Sequence, residues 1–342
     1  MITTKNVQIK DVHLNQMLDD TGILRRANFS LPDLKEGYAT DDNGRLLIVA
    51  CLQYKHSGSG QSLTWATRAL SFLQYAERDG WFKNFMLYDR HFLDSVCSQE
   101  CYGRCIWALG FAAAQKYLPK SLRQAAGTLL EKVAPMAGQL SELRACAYAA
   151  MGFLNWRHPD YRARTGSLLA HIASAWRQNA QPGWPWYEDS LSYCNAIIPH
   201  ALLMGFRLMD ASDLLSTGLE SLRFLLEETT RDGFFWPIGS GGWAPRGGVR
   251  ALYGQLPVEA CCTLFSCITA HHITKDDYFL QKARLCLNWY LGHNSAGASM
   301  IDPDTGGCYD SLNADGPSPH QGAEALLSWY AAVLALRLYE GE

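Results

Sequence analysis

The chain has little net charge of either sign. Its 30 Lys and Arg stand against 33 Asp and Glu, a balance of -3 over 342 residues. No phosphate-binding surface is expected from that balance, and so no nucleic-acid partner. The opening stretch "MITTKNVQIKDVHLNQMLDD" (1–20) has neither an apolar core nor a small-residue cleavage site, which argues against a secretory signal. Apolar runs break at a charge, Gly or Pro before reaching spanning length, so no membrane association is expected. A phosphate cradle is missing too: "GSGGWAPRGG" (239–248) neither follows a strand nor carries the P-loop Lys. There is no Ser-centred nucleophile elbow. His271 and His272 are adjacent and point to different helix faces, so they make no metal pair. No cofactor and no metal are expected. No linker or low-complexity segment divides the chain, which reads as one domain over residues 1–342.

Cysteine, by contrast, is plentiful, with 11 residues. Most sit in apolar helical text and read as small buried hydrophobes in a reducing compartment, which points to the cytoplasm. Cys97, Cys101 and Cys105 recur every four residues and line one helix face, a spacing wider than the usual zinc or iron–sulfur patterns. Hydrophobic residues make up 48% and charged residues 18%, enough apolar material for a large core and too much for disorder.

That apolar material falls into two kinds of helix. Residues 61–78, 120–137, 161–178, 211–229 and 275–291 carry a single apolar stripe, as Leu63, Ala66, Leu70 and Leu73 do in the first. Residues 45–54, 106–115, 145–154, 196–206, 258–270 and 323–336 are apolar nearly all round and need burial on every side. The kinds alternate, and the second recurs about every fifty residues, a period typical of stacked units. With a short helix near 11–19 as sixth outer partner, the pattern predicts an all-α (α/α)6 toroid: an inner ring of apolar helices inside an outer ring of amphipathic ones. Local signals suggest boundaries. Ser318 to Gln321 reads as a capping box, Thr40 as a helix cap, and Asp276 and Asp277 as a first helical turn. Pro199 should kink or break its inner helix.

The polar text collects just before the inner helices, whose N-termini converge in such a toroid. "EGYATDDNGR" (36–45) brings Tyr38, Asp41, Asp42 and Arg45, and "SQECYGR" (98–104) brings Glu100 and Arg104. "WPWYEDSLSYCN" (184–195) brings Trp184, Trp186, Glu188, Asp189 and Asn195, with His200 following. Trp243 and Glu259 come next, then Tyr309, Asp310, His320, Gln321 and Glu324 from residues 304–324. Aromatic rings offer apolar faces, while carboxylates and amides share hydroxyl hydrogen bonds. A carbohydrate presents C–H faces and a hydroxyl fringe, so an oligosaccharide or polysaccharide is the ligand class this mixture suits. Glycoside cleavage needs two carboxyl groups, one acid and one base or nucleophile. Glu188, beside apolar Trp184 and Trp186, is the candidate acid, and Asp42 the base, with Asp189 and Asp310 in reserve.

Each residue also has a plainer reading. Glu100 and Arg104 could be an i,i+4 ion pair, His200 a core histidine, and Glu259 a buried structural carboxylate with Arg45 or Arg104 as partner. A non-catalytic glycan-binding protein would use the same pocket without cleaving. A lyase would want a Tyr or His base with an Arg, and an epimerase paired histidines, for which His200 and His320 are candidates.

In combination, "GYATDDNGR", "WPWYEDSLSYCNAIIPHALL", "PVEA" and "TGGCYDSLNADGPSPHQGAEALLSW" resemble a bacterial (α/α)6 six-hairpin glycosidase-like domain, over residues 15 to 340. That domain occurs alone or fused behind family 4-type glycosyltransferases. The resemblance implies the toroid, a carbohydrate context and a glycosyltransferase as partner. Asp42, Glu188, Asp189, Asn195, Glu259, Asp310, Gln321 and Glu324 fall on matching positions. Cys194 and Ile197 stand where the family pattern has Asp and Arg, and His320 where it has Asn.

Overall fold

A computed structural model describes residues 7–93, 97–156, 161–209 and 211–341. The first six residues of the N-terminal stretch read above lie outside the described residues. Among those described, twelve α-helices follow one another: α1 (Val12–Met17), α2 (Thr40–Ser57), α3 (Gly60–Ala76), α4 (Gln99–Ala114), α5 (Lys120–Val133), α6 (Leu143–Trp156), α7 (Tyr161–Asn179), α8 (Ile197–Met209), α9 (Ser212–Glu228), α10 (Pro257–Thr274), α11 (Asp277–Tyr290) and α12 (Ala323–Glu340). Two units gather these elements. The N-terminal unit comprises Asn15–His171, and the C-terminal unit joins the chain up to Leu14 to the chain from Ile172 onward.

In the N-terminal unit α2 packs on α3 and α4, and α4 packs on α5 and α6. Burial follows the sequence pattern. Every residue of Leu46–Leu52 on α2 and of Arg144–Leu154 on α6 is buried, as a helix with neighbours on all sides requires. Helix α5 buries one stripe, Ala126, Gly127, Leu129, Leu130 and Val133. Glycine lets the inner backbones of α4 and α6 touch. A Cβ on Gly103 would stand 2.6 Å from the Ala145 carbonyl oxygen, and one on Gly110 or Gly152 would collide with the opposite backbone outright.

The C-terminal unit repeats this plan. Helix α8 packs on α9 and α10, and α10 packs on α11 and α12. A hairpin also recurs. After outer helix α3, β4 (Glu77–Arg78) and β5 (Trp81–Phe82) flank Asp79 and Gly80 at φ 52 and 86. After outer helix α9, β8 (Thr230–Arg231) and β9 (Phe234–Phe235) flank Asp232 and Gly233 at φ 50 and 80. Left-handed backbone at both central residues is the Asp-Gly turn that matches strand twist. "RDGWF" and "RDGFF" are thus one motif at matching places, an internal repeat that the sequence reading passed over.

Several expected boundaries move. Ser318 caps nothing: α12 begins at Ala323, and the N–H of its preceding residue, Gly322, donates to the remote Asp310 carboxylate at 2.6 Å. Thr40 is already inside α2, its hydroxyl donating to the Lys83 carbonyl, and Ala39 holds the cap position. Asp276 caps α11 through the Tyr278 N–H at 3.0 Å, leaving Asp277 alone in the first turn. Pro199 does not break α8. It lies in the first turn, where its missing N–H has no intrahelical partner to lose. The stripe expected to run to residue 137 ends as α-helix at Val133 and tightens to a 3-10 helix, Ala134–Gln139, at Pro135.

Candidate functional site

In the N-terminal unit, two inner helices bring charge together and a third adds an aromatic ring. Asp41 and Asp42 occupy the first turn of α2, where the helix dipole favours acids. Arg45, one turn on, bonds Asp41 at 2.8 Å and Asp42 at 2.7 Å. From α4, Arg104 reaches Asp41 at 3.3 Å and pairs with Glu100, the expected i,i+4 partner. The Arg104 guanidinium also lies 4.9 Å from the centre of the Tyr148 ring on α6, and Trp107 stacks on that ring at 5.6 Å. Three carboxylates meet two guanidiniums here. Asp42 and Arg104 are 5% and 6% exposed, so the ions are held by one another far more than by water. Tyr148 and Trp107 were missed in the sequence because each sits inside an apolar helical run, where an aromatic reads as core.

Tyr38, expected as a sugar platform, is a core residue. It is 1% exposed, its hydroxyl donates to Asp19, and its ring packs on Phe72 and Tyr88. The neighbouring amide Asn43 is likewise internal, accepting the Ile23 N–H at 3.0 Å and donating to the Ala39 carbonyl at 3.0 Å.

In the C-terminal unit the segment 184–195 is a non-helical strip ahead of α8, and its last two carbonyls, of Cys194 and Asn195, accept the N–H groups of Ile197 and Ile198 in that helix's first turn. It contains β7 (Ser190–Leu191), which pairs with β10 (Ala244–Pro245) of the loop running through residues 239–254. Trp186 and Tyr187 are 0% and 1% exposed and anchor the strip to α9: the Tyr187 hydroxyl bonds Ser221 at 2.7 Å, and Trp186 and Trp184 pack on Phe224. Trp186 and Tyr187 are therefore packing, which corrects the expected role of Trp186 as a sugar platform; Trp184 is half-buried and donates its ring N–H to the Glu188 carbonyl at 2.8 Å. The two acids separate. Asp189 is solvent-exposed and pairs with Arg246 at 2.9 Å, while Glu188 is half-buried.

Asn195 closes a tight turn, accepting the Ser192 N–H at 3.0 Å and donating to the Ser192 carbonyl at 2.8 Å. Within that turn Cys194 is left-handed, φ 46, and its N–H donates to the Glu259 carboxylate on α10. Glu259 is 4% exposed and thus has a backbone donor from α8's lead-in as one partner. The thiols of Cys194 and Cys262 hydrogen-bond, and that contact with burial holds the Cys262 thiol well above the ordinary thiol range. An Asp at 194, as in the family pattern, would set a second buried carboxylate close to Glu259.

His200 on α8 bonds the Thr269 hydroxyl of α10 through Nε2 at 3.0 Å, while its Nδ1 is buried without a hydrogen bond. Burial pushes its pKa down to about 4, so the ring is neutral near pH 7. His320 is exposed. The two histidines thus sit in unlike surroundings. Gln321 is structural: it is 3% exposed, its side-chain amide N–H donates to Asp302 at 3.0 Å, and its backbone carbonyl lies 2.8 Å from the buried His13 ring Nε2. Asp310 caps α12, as described, and Glu324 is half-buried in that helix's first turn. Tyr309 is half-buried beside Asp310, and burial raises its hydroxyl pKa.

Two half-buried rings stand on the strip and its partner loop. Tyr193 and Trp243 lie 6.1 Å apart, inclined at 44°. Tyr193 went unmarked in the sequence because its immediate neighbours, Ser192 and Cys194, carry no charge and the acids of the segment drew the reading upstream.

No protein-family model matches the sequence, and neither does any curated protein. Solved structures do match. A cellobiose 2-epimerase from Bacillus thermoamylovorans superposes with a TM-score of 0.75 at 14% identity, covering 99% of this chain and 97% of its own. A sugar epimerase from a ruminal bacterium gives 0.74 at 13% identity, covering 96% and 97%. An inactive α-1,6-mannanase variant from Salegentibacter, in complex with α-1,6-mannotetrose, gives 0.67 at 12% identity, covering 96% of each chain. The chain has their fold, the all-α (α/α)6 toroid expected from its alternating helices.

Proposed function

We propose that this protein is a carbohydrate-active enzyme, and that its reaction is glycoside hydrolysis by carboxylates, with Asp42 at the N-terminus of an inner helix as base or nucleophile. The observation that carries the reading is the Asp41–Arg45–Asp42 arrangement. Asp42 is almost wholly buried in the first turn of an inner helix, yet it is kept as an ion by Arg45 at 2.7 Å. A carboxylate held in the ionised form suits the base or nucleophile of glycoside cleavage. Solved structures of this fold include an epimerase and a mannanase, both named for sugar chemistry, which supports the substrate class.

Glu188 is proposed as the acid. Of the two neighbouring acids, Asp189 is taken up by Arg246 at the surface, while Glu188 is half-buried. The second reading, an epimerase, would want paired histidines facing each other across the cavity, for which His200, buried, and His320, exposed, are the candidates. A glycosyltransferase partner and a cytoplasmic site of action follow from the resemblance and the cysteine usage, and belong to this proposal. The test is turnover of an oligosaccharide panel by wild type, Asp42→Asn and Glu188→Gln, with circular dichroism to verify folding. Full activity in both variants would overturn the assignment.

A further inference from the structure

We infer that Tyr193 and Trp243 form the stacking platform on which a pyranose ring is held. The inference rests on the carbohydrate reading above and names the surface that would recognise the sugar. Of the five rings discussed for this region, Trp186 and Tyr187 are spent on packing against α9, and Trp184 is edge-on to Phe224. Tyr193 and Trp243 are half-buried and pair with each other, their centroids 6.1 Å apart and their planes inclined at 44°. The C–H face of a pyranose is a flat apolar surface with a weakly positive fringe, which complements the negative face of an aromatic ring.

Backbone geometry supports the assignment. Trp243 has φ 57, a left-handed conformation that a bulky residue takes only where its surroundings impose it, and such positions cluster at functional sites. The surroundings here are specific. Trp243 donates its N–H to the Gly239 carbonyl at 3.1 Å and accepts from the Ala251 N–H at 2.7 Å. Arg250 clamps the base of the loop, donating to the carbonyls of Glu228 and, at 2.7 Å, Trp236; burial pulls its pKa down to about 10, still well above neutrality. The Arg246 N–H ties the loop to the Asp189 carbonyl at 2.8 Å. A loop braced at so many points holds the Trp243 ring in place before any ligand arrives, which lowers the entropy lost on binding.

The test is titration calorimetry with cello-oligosaccharides and α-1,6-manno-oligosaccharides against wild type, Trp243→Ala, Trp243→Phe and Tyr193→Ala, with a melting temperature for each. Wild type binds at least one of these glycans. Both alanine variants weaken Kd about tenfold with unchanged melting, and Trp243→Phe falls between. Should Trp243→Ala melt early, Tyr193→Ala and Trp243→Phe carry the comparison. Equal affinity in wild type and variants overturns the platform while leaving the carbohydrate reading intact. A wild type that binds none of these glycans overturns that reading and the platform with it.

Discussion

Arg45 bonds Asp42 at 2.7 Å across one turn of α2, and the same guanidinium nitrogen bonds Asp41 at 2.8 Å. One arginine therefore holds two consecutive aspartates at the start of an inner helix. Arg45 is 12% exposed along its side chain and Asp42 7%, so water contributes little to either. Replacing Arg45 by Met leaves a buried carboxylate short of its counter-charge. The variant should lose about 3 kcal/mol of stability, measured by urea unfolding, and Arg45→Lys should recover only part of it.

Close packing between α4 and α6 makes a second prediction. A Cβ at Gly152 would collide with the Ile106 carbonyl, whereas one at Gly138 meets nothing within 4 Å. Gly152→Ala should cost about 1–3 kcal/mol or more through backbone displacement, and Gly138→Ala should be neutral within experimental scatter. Thermal melts of the two variants measure the contrast, and equal melting temperatures would contradict the packing described.

The cap on α12 is remote in sequence. Asp310→Ala removes the acceptor for the Gly322 N–H and should cost about 1 kcal/mol, while Asp310→Asn, which still offers an oxygen, should cost less. Ser318→Ala should be close to neutral, because that residue caps no helix.

His200 gives the fold a pH dependence of defined sign. Its pKa drops from 6.5 in an open chain to about 4 in the folded protein, through burial. Between those values the unfolded chain binds the proton and the folded one does not, so this contribution to stability is complete above pH 6.5 and fades as pH falls toward 4. The loss is about 3 kcal/mol at its fullest. Urea unfolding of wild type and His200→Gln at pH 7 and pH 4.5 isolates it: the wild type should lose more stability on acidification than the variant.

These predictions mark where sequence was informative. Helices buried on all sides must be apolar on all sides, so α2, α4, α6, α8, α10 and α12 announced themselves by composition, and the ring architecture followed from their alternation with striped partners. Helix starts were harder. The residue that caps α12 is Asp310, twelve positions before the amide it serves, and no local pattern separates it from the nearer Ser318. Aromatic roles were harder still. Trp186 and Tyr187 sit beside two acids in the chain but turn toward α9, while Tyr193 and Trp243, 50 residues apart, meet only through the β7–β10 pairing. Adjacency to a carboxylate in the chain says little about where a ring packs: Trp186 and Tyr187 are drawn to Phe224 and Ser221 of α9 while Asp189 stays in solvent.

Asp42→Asn measured against wild type tests the central claim most directly. Both proteins are incubated with the cello- and α-1,6-manno-oligosaccharide panel, with products followed by new reducing ends and by proton NMR. Wild type should release reducing ends, and Asp42→Asn should lose turnover at least about a thousandfold with glycan Kd little changed, as removal of a transition-state group requires. Undiminished hydrolysis by Asp42→Asn, or a wild type that inverts a sugar carbon without cleaving any bond, would contradict the account.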